Sequence, residues 1–154
     1  MSFRISGLPA APFAALFGLS DGELATRSAV RRIANETPGF PCRISLTDAE
    51  IGVDVILVNH EHLAVASPYR SRHAIYVRAD EVQFDAIDEV PAMLRRRLLS
   101  LRGFDAHGMM TACDVVEGRD LETLVERMLA DAATEYLHAH IARPGCYAAR
   151  IERA

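Results

Sequence analysis

Residues 121–151, LETLVERMLADAATEYLHAHIARPGCYAARI, show both kinds of secondary structure that the chain is expected to use. The stretch begins as an amphipathic helix, because apolar residues recur at the i, i+3, i+4, i+7 and i+8 positions of one helical face. These residues are Leu121, Leu124, Val125, Met128 and Leu129. Two strands follow at 136–141 and 146–151, joined by the turn Ala142-Arg143-Pro144-Gly145. The stretch therefore predicts a helix followed by a β-hairpin.

Short strands dominate the rest of the chain. Apolar and β-branched runs predict strands at 3–5, 53–59, 73–78 and 109–116, the last placing Cys113 in the core. A capping box, Ser20 to Glu23, predicts a helix that ends before Pro38-Gly39, and Asp88 with Pro91 begins another. Strands outnumber helices and do not alternate with them. We therefore predict an α+β fold with a single mixed or mostly antiparallel sheet and about three helices, in one domain over residues 1–154.

The composition excludes several kinds of partner. A formal net charge of −4 does not favour nucleic acid, which is bound by strongly basic surfaces. No apolar run approaches the ~20 residues of a membrane span. The apolar N-terminal segment is interrupted by Pro9 and Pro12, unlike a secretory signal. Three widely spaced cysteines without a CxxC motif indicate a reducing compartment, and we expect a cytoplasmic protein.

The basic residues are all arginine, 17 in number, and the chain has no lysine. The absence of lysine excludes Schiff-base enzymes such as those that use pyridoxal phosphate, and it excludes the lysine-dependent phosphate loop. The chain also lacks GxGxxG, GxSxG and HExxH motifs. Function must therefore be sought in less familiar groupings of residues.

Two His-x-His pairs are the first such grouping. His60 and His62 end one predicted strand, and His138 and His140 lie in another. Residues two apart in a strand point to the same face, so four imidazoles would converge if the two strands were neighbours. Such a cluster, with His73 near it, suits a transition metal. The alternative is that these histidines are strand-end polar residues with ordinary hydrogen bonds.

Cysteine chemistry is a second possibility. Cys42 and Cys146 follow Pro-containing loops, and each has an arginine close in sequence, Arg43 and Arg143 respectively. A nearby guanidinium favours the nucleophilic thiolate, and a histidine, with His62 and His73 as candidates, would serve as the catalytic base. The alternative is that both cysteines are small buried apolar residues.

A third possibility needs no catalysis. Arg70, Arg72 and Arg143 lie in or beside predicted loops, where guanidinium groups would bind a small anionic molecule through its carboxylate or phosphate. The alternative is that they are solvated or paired with acidic residues. The leading hypothesis is thus a small-molecule-binding or enzymatic pocket lined by His and Arg, with or without a metal. The second is a non-catalytic anion-binding or protein-interaction module, and a homo-oligomer is compatible with either.

Several segments together resemble one bacterial family of uncharacterised proteins, catalogued as domain of unknown function 1203. The segments are Pro38-Gly39-Phe40-Pro41-Cys42-Arg43, Glu61-His62, Ser67-Pro68-Tyr69-Arg70, His73-Ala74-Ile75 and His138-Ala139-His140 through Arg143-Pro144-Gly145-Cys146-Tyr147. The likeness spans nearly the whole chain and implies a small stand-alone cytosolic protein. It implies no activity, substrate or cofactor, so no functional residue is assigned through it.

Overall fold

A computed structural model describes residues 1–154, which form eleven β-strands, three α-helices and two 3₁₀ helices. The strands are β1 (Phe3–Ser6), β2 (Ala29–Ile33), β3 (Pro41–Cys42), β4 (Thr47–Asp48), β5 (Asp54–Leu63), β6 (Ser71–Val77), β7 (Asp85–Ile87), β8 (Leu98–Phe104), β9 (Met110–Glu117), β10 (Tyr136–Ile141) and β11 (Tyr147–Arg153). The helices are α1 (Asp21–Thr26), α2 (Ala92–Arg95), α3 (Leu121–Leu129) and the 3₁₀ helices Ala11–Gly18 and Gly118–Asp120. No helix is both long and apolar enough to cross a membrane.

The strands form two sheets. The six-stranded sheet has the order β7-β1-β11-β10-β8-β9, and the five-stranded sheet has the order β2-β5-β6-β3-β4. Every pairing is antiparallel except that of β3 with β6. The α+β class is confirmed, and the prediction of a single sheet is wrong. Alternation of apolar residues indicates which face of a strand is buried but not which strands pair, so two half-sized sheets give the same sequence pattern as one large sheet.

The predicted helices are partly correct. Helix α3 is found where the apolar stripe placed it, and the Ser20–Glu23 capping box starts α1. Helix α1 ends at Thr26, however, and residues 29–33 form β2 along β5. Pairing with β5 thus overrides the helical spacing of apolar residues after position 26. With two 3₁₀ helices in addition to three α-helices, the expected count of about three helices was too low.

Each sheet has its own hydrophobic core. In the six-stranded sheet, α2 and α3 cover one face, and the buried side chains of α3 pack against Leu137, Ala139 and Ile141 of β10. In the five-stranded sheet, the core includes Phe13 and Leu24 from the N-terminal helices. Since β10 alternates, its residues 136, 138 and 140 point away from α3. That second face of β10 carries His138 and His140 and meets the five-stranded sheet.

One close backbone approach fixes α2 against the 3₁₀ helix that begins at Gly118. A Cβ added at position 118 would lie 1.9 Å from the carbonyl oxygen of Leu94, and backbone cannot yield to it as a flexible side chain would. We expect Gly118→Ala to lower the free energy of unfolding by about 1–3 kcal/mol in denaturant titrations. Gly18→Ala is the matched control, because a Cβ there meets nothing within 4 Å. Equal losses in both variants would contradict this account.

Candidate functional site

Four histidine rings, contributed by both sheets, meet between them. His62 lies on β5, His73 on β6, and His138 and His140 on β10. The Nδ1 atoms of His62 and His138 are 3.3 Å apart, and His62 Nε2 is 2.8 Å from His73 Nδ1. One ring nitrogen from each of His62, His138 and His140 lies within 4.8 Å of the others. We call His62, His138 and His140 the histidine triad.

The route to this cluster differs from the one that the sequence suggested. Convergence of the histidines was expected if β5 and β10 were neighbouring strands, but the two strands belong to different sheets and the histidines meet face to face. A register shift between Glu61 and Leu63 leaves His62 without a directly opposed residue on β6. Such bulges turn a side chain out of the regular alternation. The extra residue of β5 at this shift is His62, and its ring reaches His138 of β10.

His60 lies outside the triad. Its half-buried ring packs against Phe13, with ring centroids 5.5 Å apart, and burial lowers its pKa. Glu61, between His60 and His62 in the sequence, forms ion pairs with Arg70 and Arg72 at 2.5 and 2.8 Å. The predicted four-histidine site of His60, His62, His138 and His140 is therefore reduced to three members, and His73 packs against two of them, His62 and His140.

His140 carries the most informative atom of the cluster. Its Nδ1 lies 3.0 Å from the carbonyl oxygen of Gly145, which only accepts hydrogen bonds, so Nδ1 is the protonated nitrogen. The opposite nitrogen, Nε2, therefore holds a lone pair. It is buried and has no hydrogen-bond partner, and it is the one buried side-chain nitrogen or oxygen in the protein in that state. A buried acceptor left unsatisfied costs about 1–3 kcal/mol, so it calls for an explanation.

The triad is held in its neutral form. Burial, acting with neighbouring histidines and arginines, lowers the pKa of His62 to about 3, of His138 to about 2 and of His140 to about 3. Arg102 on β8 and Arg150 on β11 are the strand neighbours directly opposite His138. Their positive charges add to the cost of placing a proton on the rings. Neutral imidazole is the form that ligates metals.

Tyr147 is a member of the site that sequence reasoning missed. Its buried ring stacks on His62, with centroids 4.9 Å apart and planes 10° from parallel, and it meets His138 edge-on at the same separation. Burial raises the pKa of Tyr147, which keeps its hydroxyl protonated. The signal available in the sequence was the predicted hairpin, since the pairing of β10 with β11 sets Tyr147 opposite His140.

The three arginines predicted to bind an anion lie in different surroundings. Arg70 and Arg72 are exposed and paired with Glu61, and neither lines the cavity that Arg143 borders. Arg143 lies on the β10–β11 turn, forms no ion pair and lines a cavity of about 690 Å³. His73 lines the same cavity. One member of the histidine cluster thus borders a space large enough for a small molecule.

The two candidate cysteines have opposite environments. Cys42 is fully buried, and burial raises its pKa to about 12, which does not suit a nucleophile. Cys146 is half-buried and lines the cavity. Its sulfur accepts a hydrogen bond at 2.9 Å from a guanidinium nitrogen of Arg43. Sequence proximity had associated Arg43 with Cys42 and Arg143 with Cys146, but the fold brings Arg43 to Cys146 across 103 positions.

These observations define the chain as an α+β protein with two sheets and a buried histidine cluster between them. The sequence profile of one family, described as "Protein of unknown function (DUF1203)", matches residues 39–153. The chain belongs to that family, in agreement with the resemblance found in its motifs. Searches of curated proteins and of solved structures find no match. The matched region contains all of the histidine triad, His73, Arg43 and Cys146.

Proposed function

We propose that this protein binds a transition-metal ion through His62, His138 and His140 and uses it on a small molecule held in the adjacent cavity. The observation that carries the proposal is the buried lone pair of His140 Nε2, which has no partner but faces two further imidazole nitrogens. A metal ion would satisfy this lone pair. Three nitrogen ligands favour zinc or a neighbouring first-row metal over the hard cations calcium and magnesium.

The spacing of the triad supports this proposal. Two nitrogens bound to one tetrahedral zinc ion are about 3.4 Å apart, and the His62 and His138 nitrogens are 3.3 Å apart. The largest separation in the triad is 4.8 Å, so closing the site requires side-chain shifts of about 1 Å. In the metal-free protein, the short contact between His62 and His138 is accounted for by one shared proton, which a metal ion would replace.

The hydrogen bonds of the second ring nitrogens of His140 and His62 also support the metal proposal. Metal-binding histidines usually donate their second ring nitrogen to a fixed acceptor, which sets the tautomer and the ring orientation. His140 does this through Gly145, and His62 can do so by donating from Nε2 to His73 Nδ1. His73, whose pKa is lowered by burial and by Arg102, is then a positioning residue that links the triad to the cavity.

Three protein ligands leave a coordination position free. A metal with such an open position polarises a bound carbonyl or phosphoryl oxygen, or it generates hydroxide from bound water. Arg102 forms no ion pair and contributes by its charge to lowering the pKa of all four clustered histidines. A positive group so close to the triad favours an anionic fourth ligand. The three cysteines are free thiols, which fits the proposal of a cytoplasmic protein.

Elemental analysis of protein purified without a polyhistidine tag tests the proposal. We expect about one equivalent of zinc, iron, cobalt, nickel or copper per chain after dialysis against that metal. His138→Ala/His140→Ala should bind none, because it removes the two most buried ligands. His107→Ala is the matched control, since His107 lies in the exposed β8–β9 turn and should leave the stoichiometry unchanged. If Ala destabilises the fold, His138→Gln/His140→Gln keeps side-chain volume and polarity.

Two outcomes would contradict the proposal. One is that folded wild-type protein takes up no transition metal from any of these solutions. The other is that the double variant, folded by circular dichroism, retains the wild-type stoichiometry. The second candidate function, a non-catalytic anion-binding module, is favoured by the unpaired Arg143 at the cavity. Under that proposal, small anions would bind the wild type and the double variant alike.

A further inference from the structure

Arg43 is a buried cation without a carboxylate partner. Only 1% of the residue is exposed, and no carboxylate oxygen lies within 4.0 Å of its nitrogens. Its guanidinium donates to the carbonyl oxygens of Pro41 and Tyr147, the latter at 2.8 Å, and to the Cys146 sulfur at 2.9 Å. Two neutral carbonyls satisfy hydrogen bonds but do not balance the charge. Buried charges are normally paired, because it is costly to move a charge out of water without placing an opposite charge beside it.

The candidates for the missing negative charge are few. Burial lowers the pKa of Arg43. The neighbouring groups that can carry a negative charge are the thiols of Cys146 and Cys42. Burial raises the pKa of Cys42 to about 12, so that sulfur stays a neutral thiol. The Cys146 sulfur, which the guanidinium contacts directly, is the group placed to balance the charge.

The cavity that Cys146 borders has a predominantly positive lining. Its acidic and basic side chains are Glu36, Arg43, His73, Arg97 and Arg143, and Cys146 lies among them. Arg97 is neutralised by Asp48, whereas Arg43 and Arg143 have no acidic partner. Glu36 is the one carboxylate of the lining, and it is exposed. A molecule entering this space meets the Cys146 sulfur together with two arginines that have no carboxylate partner.

We propose that Cys146 is a nucleophilic site for small electrophiles that carry a carboxylate or phosphate group. Arg143 at the mouth would hold the anionic group, and Arg43 behind the sulfur would stabilise its reactive form. In the reaction, the sulfur attacks the electrophilic carbon and an S–C bond forms. The bond from that carbon to the leaving group breaks, the leaving group departs with the electron pair, and the thiol proton passes to solvent. This site stands independently of the metal.

Two alkylating reagents that differ in charge test the proposal on the full chain. Iodoacetate and iodoacetamide transfer similar groups with loss of iodide, but only the first is an anion. Rates at each cysteine are measured by quenched labelling and peptide mass spectrometry. Cys113, exposed on β9 beside Asp114, is the internal reference, and buried Cys42 should not react. We expect the iodoacetate-to-iodoacetamide rate ratio to be about tenfold higher at Cys146 than at Cys113.

Two variants separate the roles of the arginines. Arg143→Ala should lower the ratio at Cys146 towards that at Cys113 while leaving the iodoacetamide rate unchanged. Arg43→Met should lower the rates of both reagents at Cys146. If this variant does not fold, Arg43→Lys, which keeps the positive charge, takes its place. An equal ratio at Cys146 and Cys113 in the wild type, or a Cys146 that does not react, would overturn the proposal. Repeating the assay with a chelator separates this proposal from the metal site. Because the Cys146 site does not depend on a metal, the rate ratio should not change when the chelator is present.

Discussion

Acid is expected to unfold the metal-free protein well before its carboxylates are fully protonated. In the unfolded chain, His138 and His140 take up protons below their ordinary pKa of 6.5, whereas the fold holds their pKa values at about 2 and about 3. Between these limits the unfolded state binds more protons, so the free energy of unfolding falls as the pH falls. These two residues alone account for a loss of roughly 5 kcal/mol between pH 6.5 and about pH 4.5. A domain has only about 5–15 kcal/mol to lose.

Denaturant titrations in a chelator at a series of pH values measure this loss. The comparison variant is His138→Gln/His140→Gln, which has the same carboxylates but cannot take up the two protons on unfolding. Its stability should therefore vary less with pH than that of the wild type above about pH 4.5. Parallel curves for the two proteins would show that the buried histidines are not the source of the acid sensitivity.

The sequence predicts the elements of this protein better than their arrangement. The apolar stripe of α3 and the β10–β11 hairpin are local, and both were found within a few residues of their predicted limits. The pairing of β1 with β11 and β7 is not local, and neither is the separation of β5 from β10 into two sheets. The expected burial of Cys113 was wrong for the same reason, because it depends on the position of its strand in the sheet. Its strand was identified correctly, but β9 lies at the edge of its sheet and Cys113 is exposed.

The candidate site was predictable in composition but not in geometry. The two His-x-His pairs directed attention to the right strands, and three of their four members meet. The ring of His60 packs against Phe13 instead, and no feature of the sequence marks that contact or the register shift beside it. Likewise, Arg43 and Cys146 were both singled out, but their contact with each other was not predicted, because neighbours along the chain were the only ones visible. Long-range contacts decide which of several plausible groupings exists.

The second large effect expected is stabilisation by metal. An ion that binds only the folded state adds about 2.7 kcal/mol when its free concentration is 100 times its dissociation constant. For a chain of this size, that amounts to a rise of roughly 5–10 °C in the unfolding midpoint. Binding should be tight because the ligands are already neutral and the lone pair of His140 Nε2 is already desolvated, so that only the side-chain shifts of about 1 Å remain.

Thermal melts at pH 7.5 in chelator, zinc, cobalt, nickel, calcium and magnesium measure this stabilisation. Only the three transition metals should raise the midpoint, because imidazole nitrogens bind them in preference to the oxygen-seeking cations. His140→Ala should abolish the rise, whereas His60→Ala, a neighbouring half-buried histidine outside the triad, should preserve it. A rise of equal size in His140→Ala would place the metal elsewhere on the protein. The unsatisfied lone pair of His140 would then be a structural cost that metal binding does not relieve.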